Sequence, residues 1–327
     1  MPATLLPGIY VPTQIFYKDG DDSTLDEGVI VKHAIRMAEA GVSGIVTNGS
    51  NGEAVYLTAE ERVIATKVTR HALNNVGFSH LPVIVGVSDQ SVSRTLSLCQ
   101  DALDAGGDAA LVMVPSFFKW AMNQAAIERY FTEVADKSPL PVVIYNYPGA
   151  VAGIDLDSDT LIRLSKHPNI VGTKFTCGNV GKLGRVARAT NTVSDVFPFD
   201  ASAKSYFAFA GIADFISPSI EVGSSGAIVG AANVFPRACV NVYRLAVEGR
   251  REEAKRAQQD LAVADWELTK RAIPGFKAIL EKWMGYGGVP RSPMAALSSR
   301  EKQALYSDIQ SMMEFELSLG TADTASK

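Results

Sequence analysis

The strongest constraint on the fold is a rhythm that recurs along most of the chain: a short apolar, β-rich run, a polar turn, an amphipathic helix, then a glycine. Ile30, Ala34, Met37 and Ala38 recur at i, i+4, i+7 and i+8, which is helix spacing, and the predicted helix stops at Ala40-Gly41. Gly44–Thr47 is the next strand, and Thr58-Ala59-Glu60-Glu61 has the Thr-x-x-Glu form of a capping box that opens another helix. Further strands are predicted at Pro82–Val87, Ala109–Val114, Pro141–Tyr145, Asn169–Lys174 and Gly226–Gly230. Between and after them, helices are marked by Val92, Leu96, Cys99 and Leu103, by Leu161–Lys166 and by Val240–Ala246. A strand apolar on every residue has no face for water, so such runs joined by helices imply a parallel sheet covered by helices. About eight of them before residue 235 fit a closed TIM (β/α)8 barrel better than a doubly wound sheet.

Two regions break the rhythm. Residues 191–206 are polar, contain Pro198 and read as an insertion before the seventh strand. Beyond residue 236 the chain is largely helical, with 251–272 and 298–317 as two clear segments. The expected organisation is a barrel over 1–235, a C-terminal helical extension packed on it over 236–319, and a disordered tail over 320–327.

Composition narrows the chemistry. The 327 residues are 47% hydrophobic and 20% charged, as in globular proteins, and the net charge of −4 leaves no basic footprint for nucleic acid. The three cysteines and four histidines are scattered without metal-ligand spacing, so no metal or cofactor is expected. The N-terminal stretch has the features of neither a secretory signal nor a transit peptide, and no apolar run approaches membrane-spanning length. The expected location is the cytoplasm.

Barrel enzymes carry their chemistry where the strands end. Lys174 closes the apolar run Ile170-Val171-Gly172-Thr173. A lysine facing a barrel interior is desolvated, which favours the neutral amine; a neutral amine can attack a ketone to form an imine. A solvated lysine leaving the strand end fits the position as well. Tyr145 also ends a strand, and its phenol could shuttle protons beside such an amine or be a hydrogen-bonded core tyrosine. Gly49-Ser50-Asn51-Gly52-Glu53 is a glycine-flanked turn whose backbone N–H groups suit a carboxylate, with Glu53 expected to be structural.

Together these residues resemble the dihydrodipicolinate synthase / N-acetylneuraminate lyase superfamily of class I pyruvate aldolases. The similarity runs from Gly8-Ile9-Tyr10-Val11-Pro12-Thr13 through Gly49–Glu53, Tyr145–Pro148 and Gly172-Thr173-Lys174 to Gly226-Ala227-Ile228, Ala232-Asn233 and Gly275-Phe276-Lys277. The resemblance implies that Lys174 forms the Schiff base, Tyr145 is the general acid/base, and Gly49, Ser50 and Asn51 hold the pyruvyl carboxylate. It also implies that the Ile228 backbone lines the imine pocket, with Phe117 and Tyr147 as further candidates for the lining. It implies a homotetramer built as a dimer of dimers, acting on a small 2-oxo acid.

Departures from the synthase pattern narrow the branch. The arginine that binds the aldehyde's carboxylate in the synthases is replaced by Ala150, and the tyrosine pair after the fourth-strand proline by Phe117-Phe118. Without a hydroxyl at Phe117, Tyr145 needs water, Ser50 or the substrate as its proton partner. Gly-Ser-Asn-Gly-Glu is similar to 4-hydroxy-2-oxoglutarate aldolases, whereas Gly172–Cys177, Asn179–Lys182 and Ala231–Pro236 are more similar to 2-keto-3-deoxy-L-galactonate aldolases of uronate catabolism. The expected activity is therefore cleavage of 2-keto-3-deoxy-L-galactonate (L-threo-3-deoxy-hexulosonate) to pyruvate and glyceraldehyde. The alternatives are 4-hydroxy-2-oxoglutarate cleavage, a hydratase-aldolase or dehydratase using the same imine, and a catalytically silent barrel, which retention of both Lys174 and Tyr145 argues against.

Overall fold

The computed structural model describes residues 5–197, 200 and 204–325. Eight strands form a closed parallel barrel in chain order: β1 (Gly8–Pro12), β2 (Gly44–Thr47), β3 (Val83–Gly86), β4 (Ala109–Val112), β5 (Val142–Asn146), β6 (Ile170–Phe175), β7 (Phe207–Ala210) and β8 (Gly226–Ile228). β1 pairs with both β2 and β8, which closes the ring. The expected TIM barrel is thus the observed fold.

Side chains alternate across the barrel wall as a pleated strand requires. Tyr10, Val46, Ile84, Leu111, Val143, Phe207, Phe209 and Ile228 fill the interior. Their neighbours Ile45, Val85, Ala110, Ile144, Ala208 and Ala227 pack outward against the helices. This two-sided burial is why the strands read as continuously apolar.

The outer ring follows from local signals. Helix α1 (Glu27–Glu39) is preceded by a short hairpin, Tyr17–Lys18 with Asp21–Leu25, and is capped by Asp26. Helix α2 (Ala59–Asn75) has the predicted capping box: the Glu61 N–H donates to Thr58 Oγ1 at 3.2 Å and the Thr58 N–H to Glu61 Oε2 at 2.8 Å. The ring continues with α3 (Val92–Asp104), α4 (Gln124–Lys137), α5 (Ser158–Leu164), α6 (Val180–Ala189), α7 (Ile216–Glu221) and α8 (Pro236–Val247). Helix α8 packs on β1 and α7.

The extension is α9 (Arg251–Met284) and α10 (Ser299–Ala325), the latter reaching beyond 319; Ser326 and Lys327 of the expected tail lie outside the described residues. Helix α9 is broken at Ala272, where φ is 48° and ψ −144°, two residues before Pro274. Proline removes a helical donor and disfavours the α conformation in the residue before it, so the chain re-aims here. Both halves are positioned by the barrel: α9 packs on the turns that follow β7 (Ala213–Phe215) and β8 (Gly230–Asn233).

The described residues of the polar segment 191–206 lie at the other end of the barrel. Thr192 bridges to Tyr206, whose hydroxyl meets Thr173 Oγ1 at 2.6 Å. The Lys204 ammonium donates to the carbonyls of Ser165 and Ile170 at 2.7 and 2.6 Å. The Lys204 contacts are at the N-terminal end of β6, and Tyr206 immediately precedes β7. Residues 198–199 and 201–203 of the segment lie outside the described residues.

Candidate active site

Whether Lys174 faces the barrel interior depends on one irregularity. Val142 of β5 pairs with Ile170 of β6, but the next residue, Val143, pairs with Gly172. Val171 is thus an extra residue, a bulge in β6. Strict alternation from Ile170, which packs outward, would send Lys174 outward too. The bulge reverses this and sets Lys174 level with Tyr145 on one side and Phe209 on the other, both interior residues.

Lys174 is accordingly buried, 2% exposed, with Nζ 4.2 Å from the centre of the Tyr145 ring. Burial pushes its ammonium down to about 7, because the charged form loses its hydration. Tyr145 stacks on Tyr147 with ring centres 5.5 Å apart, and its hydroxyl lies 3.2 Å from Ser50 Oγ. Burial raises the Tyr145 pKa, opposed by hydrogen bonds with the Ser50 and Thr176 side chains. The phenol therefore stays protonated and ready to donate.

Ser50 and Asn51 are delivered by the turn after β2. Asn48 adopts a left-handed conformation, which asparagine tolerates, and its amide donates to the Arg62 carbonyl and Thr66 Oγ1. Gly86 on β3 makes room for it: a Cβ there would lie 1.9 Å from the Asn48 carbonyl oxygen. The turn is closed by Gly52, Glu53 and Ala54 N–H groups donating to Gly49 and Ser50 carbonyls. It is anchored by Glu53, whose carboxylate pairs with buried Lys277 at 2.7 Å and accepts the Arg291 N–H at 2.8 Å. Glu53 is structural, as expected, and its cation comes from the C-terminal half of α9.

Asn51 is oriented from the β1 side. The Gln14 amide donates to Asn51 Oδ1 at 3.3 Å, and the Gln14 N–H to Asn233 Oδ1 at 2.9 Å. Asn233 in turn donates to the Pro12 and Gly230 carbonyls and contacts His33 Nε2 at 3.0 Å. Burial holds His33 down to about 3, so its ring is neutral at physiological pH. Sequence reasoning assigned no role to Gln14 or His33 and read Asn233 only as part of a motif.

Ser50, Asn51, Tyr145, Tyr147, Lys174 and Thr176 line one cavity, closed by Gly211, Ile212, Gly230 and the α9 residues Asp265, Thr269, Ala272, Ile273 and Phe276. Gly211 is needed for close approach, since a Cβ there would lie 2.0 Å from Thr176 Oγ1 and 2.7 Å from the Thr176 backbone. Thr176 and the α9 wall were not among the sequence-derived candidates. Lys174 is the cavity's cationic residue and Asp265 its acidic one. A second cavity adjoins across Ser50 and Tyr145, lined by Gly49, Ala150 and Arg62 among others. Its Arg62 guanidinium donates to the Ala54 carbonyl at 2.6 Å.

The sequence candidates are thus sorted by the structure. Lys174, Tyr145, Tyr147, Ser50 and Asn51 share one cavity, whereas Gly49 borders the adjoining one. Ile228 is in the barrel core, its backbone paired with Tyr10, and Gly230 lines the cavity wall. The expectation that Phe117 lines the site is not met within one chain: Phe117 is 79% exposed, packed edge-to-face on Phe118, which meets Trp120 in turn. The peptide after β4 that carries it is held outward by Gln90 Oε1, which accepts the Ser116 and Phe117 N–H groups. Among the described residues no group of three or more His, Cys, Asp or Glu could hold a metal ion.

The chain matches the model of the dihydrodipicolinate synthetase family over residues 16–312. The chain belongs to that family. It is 47% identical to an L-threo-3-deoxy-hexylosonate aldolase of Aspergillus niger, across 98% of this chain and 99% of the relative. It is 46% identical to a protein of Emericella nidulans named "Probable 4-hydroxy-2-oxoglutarate aldolase, mitochondrial", across 96% and 97% respectively. Among solved structures, a dihydrodipicolinate synthase family protein from Coccidioides immitis superposes with a TM-score of 0.84 at 31% identity, covering 97% of this chain and 98% of that one. Relatives named as aldolases therefore align with nearly the whole chain.

Proposed function

We propose that this protein is a class I aldolase that cleaves a 2-keto-3-deoxy sugar acid, best matched by L-threo-3-deoxy-hexulosonate, to pyruvate and glyceraldehyde. The observation that carries the chemistry is Lys174, buried against the Tyr145 ring with its pKa lowered to about 7. At neutral pH a large share of this amine is free to attack the substrate's C2 carbonyl. Loss of water yields the imine; its protonated form draws the electron pair of the breaking C3–C4 bond as the C4 hydroxyl loses its proton. The aldehyde departs, and the remaining enamine is reprotonated at C3 and hydrolysed to pyruvate and free Lys174.

Tyr145 handles these protons, with Ser50 as its partner at 3.2 Å in place of the hydroxyl that Phe117 lacks. The Ser50 and Asn51 side chains and N–H groups take the pyruvyl carboxylate; among the described residues those two N–H groups have no backbone acceptor.

The second reading is 4-hydroxy-2-oxoglutarate cleavage, favoured by the Emericella relative's name. Charge in the cavity supports the sugar acid instead. A substrate with a second carboxylate would meet Asp265 and no cation besides Lys174, and Arg62 of the adjoining cavity is tied to the Ala54 carbonyl. A hydroxylated tail meets Thr269 and Asp265 without that conflict.

The assembly we infer is a homotetramer, with exposed Val55, Phe117, Phe118 and Trp120 available for subunit contacts, and sedimentation tests it. We further place the reaction in uronate catabolism in the cytoplasm; no helix among the described residues is long and apolar enough to cross a membrane, and cell fractionation tests the location. The decisive experiment is borohydride reduction in the presence of pyruvate, followed by peptide mass analysis. A pyruvyl-sized adduct on Lys174 is expected. A folded protein that takes no adduct would instead be a silent barrel.

A further inference from the structure

Asp265 is a buried acid that neither the fold nor the imine chemistry above accounts for. It lies on α9, 5% exposed, in the wall of the Lys174 cavity. Its carboxyl receives hydrogen bonds from the Ala213 and Asp214 backbone, in the turn after β7. Its Oδ2 has no hydrogen-bond partner among the described residues. An orphaned buried oxygen is costly to the fold, and a buried carboxyl in the wall of a binding cavity is explained when a ligand supplies a further donor. Burial and the nearby Asp214 push this carboxyl up to about 7.

The stripe of α9 that faces the cavity is ordered by polarity. Asp265 and Thr269, one turn apart, are polar; Ile273 and Phe276, beyond the break at Ala272, are apolar. The apolar end adjoins the imine region: Phe276 comes within 3.2 Å of the Cβ position of Gly230, as does Asn51. A substrate anchored by its carboxylate at Ser50–Asn51 and by its carbonyl carbon at Lys174 therefore extends its other end along this stripe.

We propose that the Asp265 carboxyl, with Thr269 in the same cavity wall, accepts hydrogen bonds from the hydroxyl groups of the aldehyde-derived half of the substrate. This makes α9 the specificity-determining wall for polyhydroxylated aldehydes. The inference rests on the aldolase reading and adds a named recognition group to it. A carboxyl is suited to the task because its ionised form offers only acceptors, whereas a polyol tail brings several donors. Hydrogen bonds to a buried polar partner in a site screened from water discriminate strongly against an analogue that lacks the hydroxyl.

The test is aldol condensation by the full-length protein, with pyruvate as donor and either glyceraldehyde or propionaldehyde as acceptor. The two aldehydes share a three-carbon chain and differ in their hydroxyl groups. For Asp265→Ala the ratio of kcat/KM values, glyceraldehyde over propionaldehyde, is expected to fall by about 10–100-fold relative to the unmodified protein. Asp265→Asn keeps one acceptor and the side-chain shape, so its ratio should fall between the two; it serves as the second variant should the alanine form fold poorly. Equal losses with both aldehydes, the signature of a residue that merely pins the turn after β7, would overturn the proposal, as would an unmoved ratio. Borohydride trapping of pyruvate separates the two levels of inference. Trapping with an unmoved ratio removes the role of Asp265 alone, while an unmodified protein that traps no pyruvate removes the aldolase reading and this one with it.

Discussion

Replacing Lys174 by methionine should stabilise the protein at neutral pH while destroying imine formation. The lysine's pKa is about 7 in the folded chain against 10.5 when solvated, with burial as the cause. Between those values the unfolded chain binds the proton more tightly, so stability rises with pH as solution conditions remove the unfolded state's advantage. Integrating that difference, the buried amine opposes folding by about 4 kcal/mol at pH 7 and about 2 kcal/mol at pH 9, and the effect vanishes above 10.5. Methionine keeps an unbranched apolar stem against the Tyr145 ring and carries no charge. The gain of Lys174→Met over the unmodified protein should therefore level off at its largest value below pH 7 and shrink above it, by about 1.4 kcal/mol per pH unit once past pH 8. Urea unfolding of both proteins at pH 7, 8 and 9 measures this directly. A stability difference independent of pH, or one that grows with pH, would refute the claim that the site holds its amine by desolvation.

Two further expectations concern the groups around the lysine. Tyr145→Phe keeps the stack on Tyr147 and the ring beside Lys174 but removes the hydroxyl that meets Ser50; steady-state cleavage should fall by about 10²–10⁴-fold with the pyruvate adduct still trapped, and turnover like the unmodified protein's would contradict the proton role. Glu53→Gln strands the buried Lys277 ammonium without its carboxylate; denaturant unfolding should show a loss of about 3–5 kcal/mol, and a change below about 1 kcal/mol would mean the pair is solvated.

Much of this protein is readable from local pattern because local physics produced it. The Thr58–Glu61 capping box, the glycine stop after α1 and the continuously apolar strands each depend on residues close in sequence. The order of motifs was enough to bring Lys174, Tyr145, Tyr147, Ser50 and Asn51 to one cavity. It was not enough for Phe117, whose outward course is set by Gln90 on another loop. Nor could it assign Gln14, which meets Asn51 directly, or His33, which reaches the site through Asn233.

What the amino-acid order determines alone is therefore the barrel, its helices and the chemical types gathered at the strand ends. What only the tertiary structure decides is direction and company. Lys174 points inward because one extra residue, Val171, is absorbed in the pairing of β6 with β5, and pairing register is a relation between strands that neither sequence displays by itself. Asp265 joins the cavity because α9 packs over the turns after β7 and β8, bringing a residue from beyond the barrel to within reach of the tail of a substrate held at Lys174. Both outcomes follow from packing between distant segments, whose free energy is distributed over many contacts and leaves no signature at the residue it positions.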